Sequence, residues 1–230
     1  MKNQDNATPH PSARYDDLVR DTIPYYDLFH EETINLVKAA QIRPKIWLDT
    51  GCGTGSFVVK ALKAFPETRF LLADPSGAML DQAKKKLATY SGKRVSFLDP
   101  VGTQDISPNL EKTDIVTAIQ CHHYLSNEGR IKATKKCYDI LRSGGMYVSF
   151  ENIRPFSSKG VVIGKEYWKN FQLSRGRDLE EIEKHMARFD AEYFPLKIEE
   201  HLTLLRKTGF RTVEMLWYSY MQAGFYCIKD

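Results

Sequence analysis

An apolar run, Ile46-Trp47-Leu48, leads into Asp49-Thr50-Gly51-Cys52-Gly53-Thr54-Gly55 and then into a helical pattern. Glycines here let the main chain turn tightly and let a ligand lie against it with no Cβ in the way. A second acid, Asp74, ends the next apolar run, Phe70-Leu71-Leu72-Ala73. An acid about 20 residues beyond a glycine turn is placed to accept from ribose hydroxyls. Each piece has a plainer explanation by itself: a turn after a strand, or an acid that caps a helix. Together they point to a nucleoside-bearing ligand.

Spacing narrows the ligand. The dinucleotide fingerprint is G-x-G-x-x-G, shaped to set a pyrophosphate on a helix N-terminus. Here the glycines stand at Gly51, Gly53 and Gly55, with an acid two residues before the first. That form fits a ligand whose amino-acid part faces a carboxylate and whose nucleoside carries no phosphate. S-adenosylmethionine is such a ligand.

For a reaction at its sulfonium, the protein mainly supplies alignment and removal of a proton from the acceptor. Cys121-His122-His123-Tyr124 follows the fourth strand-like run. His123 is the candidate general base because imidazole titrates near neutral pH; the competing reading is that both histidines only pack or hydrogen-bond. Glu151 and Asn152 close the fifth run and could orient an amine, hydroxyl or carboxylate, or simply begin a loop. Aromatic faces such as Tyr26 could stabilise the cationic sulfur. Cys52 reads as a small space-filler in the glycine turn.

These residues need a scaffold, and the periodicity supplies one. Strand-like runs at Lys45–Thr50, Arg69–Asp74, Arg94–Leu98, Asp114–Gln120 and Met146–Glu151 alternate with helical stretches near Gly55–Ala64, Gly77–Thr89 and Glu128–Leu141. That alternation predicts a parallel sheet with helices on both faces. A last helix near Leu196–Lys207 stops at Gly209, and the runs Thr212–Trp217 and Met221–Ile228 are too close for a helical crossover, so they pair antiparallel. The expected fold class is α/β: a three-layer Rossmann-like, seven-stranded sheet with a C-terminal antiparallel hairpin. Two helical pieces broken at Ile23-Pro24 precede the sheet, and residues 155–194 form a helical cap insertion. Residues 1–13 are polar and expected to be a flexible tail, leaving 14–230 as one domain.

Among 230 residues, 33 Lys and Arg against 29 Asp and Glu leave a charge of +4, interspersed rather than striped, so composition gives no support for a nucleic-acid partner. No run of about 20 apolar residues crosses a bilayer and the first thirty residues are polar, so the expectation is a cytoplasmic protein with no membrane partner. The four cysteines make no C-x-x-C pair, which argues against a metal site or a disulfide framework.

On these residues the chain resembles the class I S-adenosylmethionine-dependent methyltransferases, over nearly all of its length after residue 13. Within them it is most similar to the branch containing carboxy-S-adenosylmethionine synthase, which serves transfer-RNA wobble uridine modification. The shared features are Ile23-Pro24-x-Tyr26, an insertion ending in Glu181-Ile182, and Lys207-x-Gly209-Phe210 before an aromatic-rich hairpin. The resemblance implies that Tyr26 closes over the cofactor, that Gly51, Cys52 and Gly53 line its methionine part, and that Asp74 and Pro75 hold the ribose. Met79 would complete that wall; Gly102 and Thr103 would border adenine, held by backbone or by Gln104 or Asp105 nearby. Gly102 stands where the family often has Asp, and Ile119 replaces a polar residue at the end of the fourth strand. Met186 stands where the synthase places an Arg for its product's extra carboxylate, with His185 and Arg188 close by in the sequence. The implied activity is methyl transfer to a small-molecule acceptor; the alternative is conversion of S-adenosylmethionine itself, either as in the carboxy-S-adenosylmethionine synthase or by a cyclising or lyase reaction that releases methylthioadenosine. The same branch implies a homodimer through the insertion, whose apolar face could equally cover the same chain's pocket.

Overall fold

The computed structural model describes residues 5–230. Two N-terminal helices, α1 (Tyr15–Thr22) and α2 (Tyr26–Ala39), are followed by β1 (Ile46–Thr50), α3 (Ser56–Ala64), β2 (Arg69–Ala73), α4 (Gly77–Lys86), β3 (Val95–Phe97) and β4 (Thr113–Ile119). Then come α5 (Asn127–Ile140), β5 (Leu141–Asn152), the insertion helices α6 (Ser158–Ser174) and α7 (Leu179–Ala187), α8 (Ile198–Thr208), β6 (Thr212–Ser219) and β7 (Gln222–Ile228).

The strands form one seven-stranded sheet in the order β3-β2-β1-β4-β5-β7-β6. β1 to β5 pair parallel, while β7 runs antiparallel between β5 and β6. The seven-stranded, mostly parallel sheet and its terminal hairpin are therefore as expected from the alternation. Strand side chains point to opposite faces at a period of two, and this builds two cores. Trp47, Phe70, Leu72, Ile115, Val148 and Phe150 face α2 and α3, whereas Leu48, Leu71, Val116, Tyr147 and Phe225 face α5 and α8.

The break between α1 and α2 follows from Pro24, which pushes Ile23 into the extended region (φ −104°, ψ 115°). Tyr25 then caps α2 in the left-handed region at φ 58°. Asp16 fixes α1 to the sheet by accepting from the hydroxyls of Thr54 and Ser56, each at 2.7 Å, at the start of α3. The insertion docks on the same helix: the buried Trp168 indole donates to the Thr22 carbonyl at 2.7 Å.

Residues 5–13 depart from the flexible tail expected for 1–13; residues 1–4 lie outside the described residues. His10 and Ser12 are buried, with His10 Nε2 2.7 Å from Thr22 Oγ1. Ser76 Oγ donates to the Asp5 carbonyl at 2.7 Å, and Arg188 Nη2 donates to the Ala7 carbonyl at 2.6 Å. Polar side chains and main-chain groups hold this segment in place, and a reading of apolar periodicity passes over such contacts. Among the described residues, no helix is long and apolar enough to cross a membrane.

Candidate active site

β1 is central, and its carboxyl end opens into the glycine turn where parallel α/β sheets bind ligands. Gly51 is in the left-handed region at φ 64°, and a Cβ there would lie 2.4 Å from Cys121 Cβ, so this glycine lets the turn pack against the loop after β4. At Gly53 (φ 53°) a Cβ would meet nothing within 4 Å, because this glycine borders open space. Gly55 sits under Leu87 and Ala83, 2.9 and 3.3 Å from where its Cβ would be, and serves the packing of α3 on α4.

The open space is a cavity of about 260 Å³. Tyr26, Asp49, Gly51, Cys52, Gly53, Asp74, Pro75, Met79 and Ile119, dispersed along the sequence, converge on its wall. Asn6, Ala7 and Thr8 also line it, along with Tyr15, His30, Phe57, Gln120, Cys121, Tyr124 and Leu125. The helical spacing from Tyr26 to His30 could have revealed His30, which faces the Tyr26 ring at a centroid distance of 4.9 Å. No sequence signal pointed to Asn6–Thr8.

Both acids are buried and tied to the backbone or to neighbours. Asp74 accepts from the Gly53 amide at 2.9 Å and from the Ser76 amide at 2.8 Å, so it shapes the glycine turn as well as lining the cavity. Burial raises its carboxyl, against the lowering by those two amides. Asp49 Oδ1 accepts from Thr117 Oγ1 at 2.6 Å, whose oxygen in turn accepts from the Trp47 indole at 3.1 Å. Burial, reinforced by the charge of Asp74 and opposed by Thr117, pushes the Asp49 carboxyl up to about 7. Two sparsely neutralised acids beside an uncovered glycine backbone suit a cationic ligand. The Cys52 thiol is pushed well above its ordinary range by burial and by both acids, which suits a space-filler.

Other expected positions stand apart from this cavity. Thr103 is buried and hydrogen-bonded to Thr50 Oγ1 at 2.6 Å and to His122 Nε2 at 3.1 Å, beneath the end of β1. Gly102 and Gln104 flank it on the 3-10 turn after β3, where the Gln104 amide lies within 3.0 Å of where a Gly102 Cβ would be. Gly55, Gly102, Thr103 and Gln104 are not among the residues around the cavity.

His123 requires a correction. It is 1% exposed, its Nδ1 lies 2.7 Å from Glu151 Oε2, and its Nε2 lies 3.2 Å from Asn152 Nδ2. Both ring nitrogens are engaged and the residue does not line the cavity, so the geometry gives it a structural part rather than that of a base. Glu151 also accepts from the His122 and His123 amides at 3.2 and 2.9 Å. Burial alone would raise its carboxyl, but the His123 hydrogen bond holds it down. Asn152 Oδ1 accepts from Gln222 Nε2 at 3.2 Å, which makes its side chain a bridge from β5 to β7.

Comparison with known proteins agrees with this geometry. Residues 48–147 match the family described as "Methyltransferase domain". The chain is 22% identical over 203 residues to the carboxy-S-adenosyl-L-methionine synthase of Nautilia profundicola, covering 88% of this chain and 85% of that one. It is 25% identical to the synthase of Trichodesmium erythraeum, covering 88% and 79%. Among solved structures, the plantazolicin methyltransferase BpumL, in complex with a pentazolic analogue and S-adenosylhomocysteine, superposes with a TM-score of 0.69 at 14% identity over 95% of this chain and 90% of that one. Human N-acetylserotonin methyltransferase, in complex with S-adenosylmethionine, gives a TM-score of 0.67 at 12% identity; this chain is covered over 97% but spans only 57% of that protein.

Proposed function

We propose that this chain, a class I S-adenosylmethionine-dependent methyltransferase by its fold and its domain match, transfers a methyl group to a small-molecule acceptor. One observation carries the reading: two buried acids, Asp49 and Asp74, meet the uncovered Gly53 backbone in one cavity. When bound, S-adenosylmethionine supplies a methyl group activated by a sulfonium. In this reading Asp49 faces the cationic amino-acid part, Gly51, Cys52 and Gly53 border it, and Asp74 with Pro75 and Met79 holds the ribose.

Tyr15, Tyr26 and His30 form the aromatic side of the cavity, where ring faces attract a cation by about 0.5–2 kcal/mol. Burial lowers the His30 imidazole to about 3, so it stays neutral beside the cationic ligand. The N-terminal segment at Asn6–Thr8 and the turn at Tyr124 and Leu125 border the cavity. A concave site of this size suits a small acceptor better than a macromolecule. With His123 occupied by Glu151 and Asn152, alignment supplies the rate, and the acceptor's proton leaves without it.

A second reading, conversion of S-adenosylmethionine itself, is favoured by the synthases that match over most of the chain. Against it, Met186 packs in the apolar core and brings no charge to the position where the synthase resemblance calls for an Arg. Incubation with S-adenosylmethionine, alone and with pooled metabolites, followed by mass spectrometry, separates the two. S-adenosylhomocysteine plus a metabolite heavier by one methylene is the expected result. Methylthioadenosine formed without an acceptor, or S-adenosylmethionine heavier by the elements of CO2 formed with the metabolite pool, would overturn methyl transfer in favour of the second reading.

A further inference from the structure

Apart from its two acids, the wall of the cavity is largely aromatic. Tyr15 meets Tyr26 edge-on with ring centroids 6.4 Å apart, and His30 contacts the Tyr26 and Phe57 rings at 4.9 and 5.6 Å. Tyr124 continues this side. Asp49 and Asp74 are the carboxylates of the wall, and among the described residues no Lys or Arg borders it. Arg188 reaches the Ala7 carbonyl at 2.6 Å but is not part of the wall, and it carries Glu192 as a counter-ion at 2.7 Å.

Such a wall is poor at taking a proton from an acceptor. Burial raises the Tyr15 and Tyr26 phenols and holds the Tyr124 phenol at about 12, so all three keep their protons at neutral pH. The Cys52 and Cys121 thiols are raised by the same cause, and His30, lowered to about 3, is too weakly basic to serve. An alcohol, phenol or thiol must shed a proton to attack well, and would do so as an anion beside two carboxylates. A carboxylate acceptor meets the same repulsion on entry. An amine attacks with a lone pair it already has and ends as a cation, which this wall attracts.

We propose that the acceptor is a small amine, methylated at nitrogen on the side of the cavity bounded by Tyr15, Tyr26 and Tyr124. This rests on the methyltransferase reading above and names the class of its substrate. The nitrogen lone pair forms the N–CH3 bond as the C–S bond breaks and its electron pair goes to sulfur, leaving a neutral thioether and an alkylammonium. Positive charge thus passes from sulfur to nitrogen without leaving the cavity, and any N–H proton of the product goes to water after release. Aromatic faces and the two carboxylates attract the cation in either place. Before transfer, the sulfonium repels a second cation and so favours the acceptor in its neutral, nucleophilic form.

The test uses the full chain saturated with S-adenosylhomocysteine, whose binding is checked first by calorimetry. Tetramethylammonium chloride, tert-butanol and sodium pivalate are similar in outline and differ in charge; each is titrated at constant ionic strength and followed by NMR at the backbone and tyrosine ring signals. Tetramethylammonium is expected to shift the Tyr15 and Tyr124 signals saturably and to bind roughly 10-fold or more tightly than the other two. Tyr15→Leu should weaken it by roughly 2- to 30-fold and Tyr15→Phe should restore it, because the ring carries the attraction. Equal or tighter binding of pivalate or tert-butanol, no saturable response to tetramethylammonium, or wild-type affinity in Tyr15→Leu overturns the amine while the cofactor reading stands. The comparison of the three probes is made on the wild type and holds whether or not the Leu variant folds. S-adenosylmethionine with a trideuterated methyl group, incubated with the metabolite pool, should place the label on nitrogen; label on oxygen, sulfur or carbon overturns the amine alone. Methylthioadenosine or a carboxylated S-adenosylmethionine formed instead, or a wild type that does not bind S-adenosylhomocysteine, removes the methyltransferase reading and this inference together.

Discussion

Gly53 donates its backbone amide to Asp74 Oδ2 at 2.9 Å, which makes the acid at the end of β2 a strut for the glycine turn at the end of β1. The residue that would hold the ribose thus also shapes the surface against which the methionine part would lie. Asp74→Ala should therefore weaken S-adenosylmethionine by at least the ~1.5–3 kcal/mol of a charge-assisted hydrogen bond. Calorimetric affinity equal to wild type would remove the ribose site from this position.

Asp49 predicts a pH dependence. Its carboxyl rises from 3.8 to about 7 on folding, so the folded chain binds a proton that the unfolded chain has released. Stability accordingly falls as pH rises from about 4 to about 7 and carries the full cost above that, about 4 kcal/mol in the limit. A cationic ligand favours the ionised form, so cofactor affinity should rise with pH through the same window. Asp49→Asn should raise the melting temperature of the unliganded protein at pH 8, flatten the affinity profile, and weaken binding roughly 10-fold or more. An unaltered profile in the variant would show that another group controls it.

His123→Ala is expected to act on stability. It leaves the buried Glu151 carboxylate without its ring partner, an effect of about 3 kcal/mol or more in denaturant unfolding. Turnover by the folded protein should change only severalfold, with the shape of its pH profile retained. Wild-type stability combined with a ~100-fold slower reaction would restore His123 as a base.

The glycines of the turn should separate by substitution. Gly51→Ala collides with Cys121 and should destabilise the fold by several kcal/mol, read as a lowered unfolding midpoint. Gly53→Ala meets no atom within 4 Å and costs only the left-handed backbone strain of about 1–2 kcal/mol, yet its methyl enters the cavity. It should fold and bind S-adenosylmethionine poorly; normal affinity would move the cofactor off Gly53.

Much of the scaffold was legible because it is written in apolar periodicity. Trp47 and Leu48 face opposite cores, and the short link from β6 to β7 permitted only an antiparallel pair. Asp49, Gly53 and Asp74 were legible as a group because they end adjacent strands. The part of His123 was not, since its meeting with Glu151 depends on the register that sets Ile119 beside Phe150. Residues 5–13 were misread for a related reason: Asp5 accepts from Ser76 and His10 meets Thr22, while Ser12 donates to Asp5 within the segment, and polar composition carries no sign of these bonds.

The placement of β7 between β5 and β6 has a consequence for assembly of the sheet. Among the described residues β6 pairs with β7 alone, so without residues 222–228 in place it has no sheet partner. The edge of β5 is then bare as well, and a chain in which β7 is undocked would present two open edges suited to intermolecular pairing. Docking of β7 therefore covers the edge of β5 and joins β6 to the sheet, and destabilising changes within β7 should lower soluble yield more than equal changes in β3.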